Sequence, residues 1–188
     1  MNRDEFKIIL LGDTHVDKTS IAIRQSENFF SHSSKPTIGA NQLISKVKVN
    51  NREIELVLWD TAGQEEFNAL IPMYLRNSSC AIIVCAANNQ QTIYNIPKWY
   101  TMLEEMTVTP PCIVAINKVD LLADQVQDVE NIRQKLENRY KNIIFVSALT
   151  GYNIGLLFDT VAQNCLMEKV PDTSEFAVMQ SQKRNSCC

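Results

Sequence analysis

The stretch Phe6-Lys7-Ile8-Ile9-Leu10-Leu11-Gly12-Asp13-Thr14-His15-Val16-Asp17-Lys18-Thr19 decides the fold. Residues 6–11 are almost continuously apolar, the mark of a strand covered on both faces. A polar loop follows, then a weakly periodic helix around Ile21. A strand, a loop and a helix in this order make the usual place for a phosphate-binding loop, where backbone N–H groups and a helix N-terminus meet anionic oxygens. The pattern asks for glycine, four residues, glycine, lysine and then serine or threonine. Gly12, Lys18 and Thr19 fit, but the second glycine is Asp17. Taken alone the match fails, and an ordinary polar strand–helix turn is the better account.

Outward from that stretch, strand and helix patterns alternate. Val47 and Val49 alternate with Lys46 and Lys48; after Asn50-Asn51, Ile54, Leu56 and Leu58 alternate with Glu53 and Glu55. That is a hairpin, and it puts one antiparallel strand into the sheet. Residues 80–86, 112–117 and 143–147 are further buried-type strands. Ile96, Trp99, Tyr100, Leu103 and Met106 mark an amphipathic helix that starts near Asn95, because Pro97 fits only a first turn. Val129, Ile132, Leu136 and Tyr140 mark another helix, and Ile154, Leu157, Phe158, Val161 and Cys165 a third. The alternation predicts an α/β domain: a mostly parallel sheet with one antiparallel strand and helices on both faces. After about residue 168 the chain turns polar and loses its period, so 169–188 is expected to be a flexible tail.

Composition narrows the function classes. The chain has 188 residues, 45% hydrophobic and 21% charged, which suits one soluble domain and argues against wholesale disorder. A net charge of −3 makes a basic nucleic-acid surface unexpected. The longest apolar run, residues 80–87, is too short to span a bilayer, and no secretory leader pattern opens the chain. Of six cysteines, Cys80, Cys85, Cys112 and Cys165 fall on apolar strand or helix positions and are expected to be buried free thiols. No Cys/His spacing suggests zinc. His15 and His32 are expected to be solvated loop residues, and Trp99 and Met106 to be helix core.

Further motifs fall on one edge of the sheet. Trp59-Asp60-Thr61-Ala62-Gly63-Gln64-Glu65 closes the strand after the hairpin, Asn117-Lys118-Val119-Asp120 closes a later one, and Ser147-Ala148-Leu149 closes the last. Thr37-Ile38-Gly39 sits in the loop before the hairpin. Ligands of open α/β sheets bind at the carboxyl ends of the strands. On these motifs the chain resembles a Ras-like small GTPase, a P-loop NTPase with a six-stranded sheet. Ala62-Gly63-Gln64-Glu65-Glu66-Phe67, Thr37-Ile38-Gly39 and the terminal Cys187-Cys188 make it similar to the Rab subfamily. Thr37-Ile38-Gly39-Ala40 and Ile71-Pro72-Met73-Tyr74-Leu75-Arg76 look most like the early-endosomal branch.

The resemblance implies the following roles. Residues 1–168 form the G domain. Phosphates are met by Gly12, Asp13, Thr14, His15, Val16, Asp17, Lys18, Thr19 and Ser20, with Thr37 and Gly63 sensing the γ-phosphate. Lys18 places its charge on the β- and γ-phosphates. Thr19, Thr37 and Asp60 serve Mg²⁺, a hard cation that prefers oxygen. Gln64 is the catalytic residue that orients water. Guanine is held by Phe30, Asn117, Lys118, Asp120, Ser147, Ala148 and Leu149. The Asp120 carboxylate accepts the N1 and N2 protons that adenine lacks, which disfavours an ATPase. GTP and GDP are the ligands. An exchange factor, a GTPase-activating protein, effectors and a lipid-masking carrier read residues 33–45 and 62–78, whose order changes on hydrolysis. Cys187 and Cys188 are the lipidation pair, two chains giving stable anchoring where one is marginal. The expected place is the cytoplasmic face of endomembranes, endosomal ones in that branch, in exchange with the cytosol.

The sequence also departs from the family. His15 and Asp17 replace glycines, Ser34 replaces an aromatic, Glu66 replaces an arginine, and Leu149 stands where lysine is usual. Asp17 is expected to bend the backbone at positive φ, at roughly 1 kcal/mol. Its carboxylate, about 5 Å from a phosphate charge at an effective dielectric of ~20, costs roughly 3 kcal/mol, more than a hundredfold in affinity. Protonated His15, Lys18, Mg²⁺ or an outward rotamer offsets part of that. Hence a second expectation stands beside the switch: a pseudo-GTPase binding module that keeps the fold with impaired nucleotide binding.

Overall fold

The computed structural model describes residues 4–31, 36–64 and 69–168. The tail 169–188 with Cys187 and Cys188, and the loop residues His32, Ser34, Glu65 and Glu66, lie outside the described residues.

The chain runs β1 (Asp4–Leu11), α1 (Lys18–Glu27), β2 (Ala40–Val49), β3 (Arg52–Thr61), α2 (Ile71–Leu75), β4 (Cys80–Ala86), α3 (Gln90–Tyr94), α4 (Ile96–Glu104), β5 (Cys112–Asn117), a 3₁₀ turn (Val119–Leu121), α5 (Gln125–Leu136), β6 (Ile143–Phe145) and α6 (Ile154–Glu168). The six strands stand in the order β2-β3-β1-β4-β5-β6. Among the described residues only β2 is antiparallel to its neighbour; β3, β1, β4, β5 and β6 pair in parallel. The turn between β2 and β3 is Asn50-Asn51, both at positive φ (49° and 61°). Two successive left-handed residues give the turn whose twist matches a hairpin, and asparagine tolerates that region well.

Unbroken apolar strands are buried on two sides. Phe6, Ile8 and Leu10 of β1 pack with α1 and α6 through Ile21, Phe158 and Val161. Ile9 and Leu11 face the other layer, with Trp99, Leu103 and Leu136 of α4 and α5. β4 divides in the same way, Ile82 and Val84 to the first core and Ile83 and Cys85 to the second. The strands therefore end together at one edge, held by both helical layers. Cys80, Cys85, Cys112 and Cys165 are free, and burial pushes the Cys112 thiol up to about 12.

Element boundaries differ from the sequence expectation in three places. The helix expected from Asn95 to Met106 is α4, shorter at its end, and a separate α3 precedes it. Asn89 caps α3, its side chain accepting from the Gln91 N–H. Pro97 in the first turn of α4 has no N–H to continue α3, so the two break at Asn95. Tyr140 lies past the end of α5, its N–H still bonded to the Leu136 carbonyl at 3.0 Å. The last strand stops at Phe145, and Ser147 belongs to the loop beyond it. Among the described residues no helix is long and apolar enough to cross a membrane.

Candidate functional site

The loop from β1 to α1 turns on its backbone. Gly12 has φ 140°, and a Cβ there would stand 2.2 Å from the Val84 carbonyl oxygen of β4. No other residue type fits so close an approach. His15 (φ 62°) and Asp17 (φ 65°) take left-handed conformations without being glycine, each at roughly 1 kcal/mol. Inside this turn Lys18 is buried, 6% exposed. Its ammonium donates to the Gly12 and Asp13 carbonyls at 2.8 and 2.9 Å. Burial pulls its pKa down to about 8, against the charges of Asp60, Asp13, Asp17 and Cys85. A cleft of about 180 Å³ opens above it, lined by Thr14, His15, Asp17, Lys18, Thr19, Ser20, Thr37, Gly63 and Gln64 among others. A Cβ on Gly63 would lie 2.6 Å from both the Lys18 Nζ and the Asp13 carbonyl oxygen. The loop after β3 thus passes directly over the lysine.

Three side-chain oxygens meet beside this cleft. The Thr19 hydroxyl donates to Asp60 Oδ2 at 2.7 Å, Thr37 to the same oxygen at 3.1 Å, and the two hydroxyls lie 3.0 Å apart. Asp60 is fully buried at the end of β3. Burial raises its pKa, while the two threonines and Lys18 oppose the rise. Its second oxygen, Oδ1, is buried with no hydrogen-bond partner among the described residues. A buried carboxylate oxygen without a donor is costly. Hydroxyl and carboxylate oxygens with one unmet anionic acceptor are the donor chemistry a Mg²⁺ ion takes, so the residues fit that ion.

Asp13 behaves differently from its neighbours. Its carboxylate accepts from Trp99 Nε1 at 2.9 Å and from Asn95 Nδ2 at 2.7 Å. The side chain is committed to the α3–α4 break, leaving the Asp13 carbonyl to Lys18. Val16 is likewise buried, and its carbonyl accepts from Asn117 Nδ2 at 2.9 Å.

The second pocket, about 120 Å³, is lined by Asp17, Phe30, Asn117, Lys118, Asp120, Leu121, Ala148 and Leu149. Asn117 ties three segments together, since its Oδ1 also accepts from the Ala148 N–H at 3.0 Å. The Ser147 hydroxyl donates to Asp120 Oδ1 and accepts from the Thr150 N–H, fixing the carboxylate. Lys118, itself left-handed at φ 67°, reaches back to the His15 carbonyl at 2.6 Å. The same ammonium pairs with Asp17 Oδ2 at 3.1 Å. The Asp17 carboxylate thus has a cation partner in the wall between the two pockets. Arg24 of α1 had no place in the sequence argument. It donates to the Ala148 and Leu149 carbonyls at 2.8 and 2.7 Å and clamps that loop onto α1. No local motif points to it, because the contact spans more than a hundred residues.

Comparison with known proteins agrees with this geometry. The sequence profile of the Ras family matches residues 7–167. Human Ras-related protein Rab-31 is 36% identical over 162 residues, 85% of this chain and 82% of that protein. The GTP-binding protein YPT53 of Saccharomyces cerevisiae is 36% identical over 174 residues, covering 88% and 76% of the two chains. Human Ras-related protein Rab-22A is 34% identical over 201 aligned positions, 98% of both. With the strand order, the phosphate-loop geometry and these relatives together, the chain belongs to the Ras family of small GTPases, in its Rab subfamily.

Proposed function

We propose that this protein is a Rab-type switch of vesicle traffic that binds GTP and GDP with Mg²⁺, hydrolyses GTP slowly and recruits effectors to membranes when GTP-bound. The observation that carries it is the meeting of Thr19, Thr37 and Asp60. A residue of the loop before β2 is joined there to α1 and β3 by the same carboxylate oxygen. That is the contact a switch needs: one loop whose position depends on what occupies the cleft. The metal, when bound, would neutralise charge on the phosphate oxygens. Thr19, Thr37 and Asp60 would hold it.

The chain's own residues divide the remaining work. Lys18 meets the β- and γ-phosphates, and the Gly63 N–H meets the γ-phosphate. Gln64, on the wall of the cleft, orients the attacking water. Asp120 accepts the guanine N–H pair, braced by Ser147, and the Ala148 N–H and Lys118 stem complete the base site. Residues 33–45 and 62–78 are the surfaces for the exchange factor, GTPase-activating protein, effectors and carrier. Prenylated Cys187 and Cys188 anchor the tail at the cytoplasmic face of endosomal membranes.

The test is the nucleotide content of the purified, Mg²⁺-containing protein after denaturation and chromatography. Near-stoichiometric GDP or GTP is expected. A protein that is empty and takes up no added guanine nucleotide overturns the switch. It would leave the pseudo-GTPase module, which the left-handed aspartate at 17 favours. Gln64→Leu should slow single-turnover hydrolysis about tenfold or more without weakening binding; unchanged hydrolysis removes its role.

A further inference from the structure

We propose that Lys118 is a positioning residue for Asp17: their ion pair is a strut between the phosphate loop and the base loop that holds the Asp17 carboxylate off the phosphate path. The inference rests on the nucleotide-binding function proposed above. An aspartate at a helix N-cap ordinarily accepts from the N–H groups of the first turn. Asp17 occupies that position before α1 and makes no such bond. Its carboxylate is instead 3.1 Å from Lys118 Nζ, and that ammonium also donates to the His15 carbonyl at 2.6 Å.

The Asp17 carboxylate and the His15 carbonyl therefore converge on the Lys118 ammonium, and all three residues are left-handed (φ 65°, 62° and 67°). The pair is partly exposed, 20% and 30% at the two side chains, and such pairs contribute little to folding. Its consequence is the choice of rotamer. Asp17 lines both pockets, so rotation about its side chain decides whether a negative charge faces the phosphates or the lysine. With Lys118 in place the charge is drawn to the base side and neutralised there. Without it the carboxylate is free to turn into the cleft, beside the phosphates.

A double-mutant cycle on the full chain tests this. GDP with Mg²⁺ and guanosine are titrated against wild type, Asp17→Gly, Lys118→Met and the double variant. Lys118→Met should weaken GDP binding at least about tenfold more with Asp17 present than with glycine there. For guanosine, which carries no phosphate, the two penalties should agree within about twofold. Lys118→Arg, which keeps the charge, should recover most of the GDP loss in the Asp17 background. Equal GDP penalties in both backgrounds overturn the strut while the nucleotide function stands. A guanosine cycle as wide as the GDP cycle also overturns it, since a general loosening of the loops would act on both ligands. If none of the four proteins binds GDP, the nucleotide function falls and the strut with it. Should Lys118→Met lower the melting temperature by more than about 5 °C, Lys118→Gln replaces it in the cycle.

Discussion

The base pocket and the phosphate cleft share a wall yet are built from different materials. In the base pocket, on the proposed function, side chains would do the selecting. Asn117 holds Val16 and Ala148, Ser147 fixes Asp120, and Arg24 clamps the loop that carries Ala148. In the phosphate cleft the backbone supplies the shape. Gly12 passes against β4, Lys18 is held by two carbonyls, and the turns at 15 and 17 are left-handed although neither residue is glycine. A site shaped by backbone keeps its form when glycine becomes aspartate, at a modest conformational cost, but it acquires a charge. A site shaped by side chains loses function when one of them is removed. That difference explains how a chain can miss the phosphate motif at its second glycine and still fold the loop.

The largest expected effect lies on the side-chain half. Asp120→Ala should weaken GDP binding by at least about a hundredfold, because the guanine N–H pair is left without its acceptor. ADP binding should be unchanged, which competition titrations with the two nucleotides would show. Equal losses for ADP and GDP would mean that Asp120 shapes the pocket without reading the base, and the contrast between the two regions would narrow. Next comes the charge on the backbone half. Asp17→Gly should tighten GDP binding at least about tenfold in the Lys118→Met background and by less than about threefold while Lys118 is in place, measured as the ratio of dissociation constants. A gain of about tenfold with Lys118 present would mean that the ion pair does not neutralise the carboxylate.

A pH titration sharpens the same contrast through Lys18. Burial has lowered its pKa from 10.5 to about 8. Only the ammonium form attracts phosphate, so GDP affinity should be level below pH 8 and fall by up to about tenfold per unit above it. Folding has the opposite sign. Between the lowered value and the unfolded one the native chain binds fewer protons than the unfolded chain, so this residue makes nucleotide-free stability rise with pH there. Denaturant melts at pH 7.5 and 9.5 should show the rise, and Lys18→Met should remove it. Affinity independent of pH over that range would place the proton elsewhere.

What the sequence discloses follows the same division. β1, β4 and the β2–β3 hairpin are legible because two-sided burial leaves unbroken apolar runs and one-sided burial leaves alternation. The motif residues are legible as a set because strand ends gather at one edge. The break at Asn95 is not, since a helix stripe looks the same on either side of a single disrupted turn. The partner of Asp13 is not legible either. Trp99 has the spacing of core and is core, and its indole N–H finds a carboxylate only after the chain folds. The rotamer of Asp17 depends on a lysine a hundred residues away, and no local pattern encodes it.

Arg24 carries the smallest expected effect and tests whether the two regions are separable at all. It stands on α1, the helix whose start forms the phosphate cleft, yet two of its three guanidinium bonds go to the base loop, the third going to the Asn28 carbonyl at the end of α1. Arg24→Met keeps the aliphatic stem and removes all three bonds, so the Ala148 and Leu149 carbonyls lose their common donor. At about 1 kcal/mol net for a partly exposed bond of this kind, binding should weaken about fivefold. On the proposed function the loop it releases would meet the base and not the phosphates, so GDP and guanosine should weaken by the same factor. A loss for GDP alone would mean that the clamp acts by moving α1 and with it the floor of the phosphate cleft. Side-chain and backbone halves would then be one mechanical unit, joined through α1 as well as through Lys118.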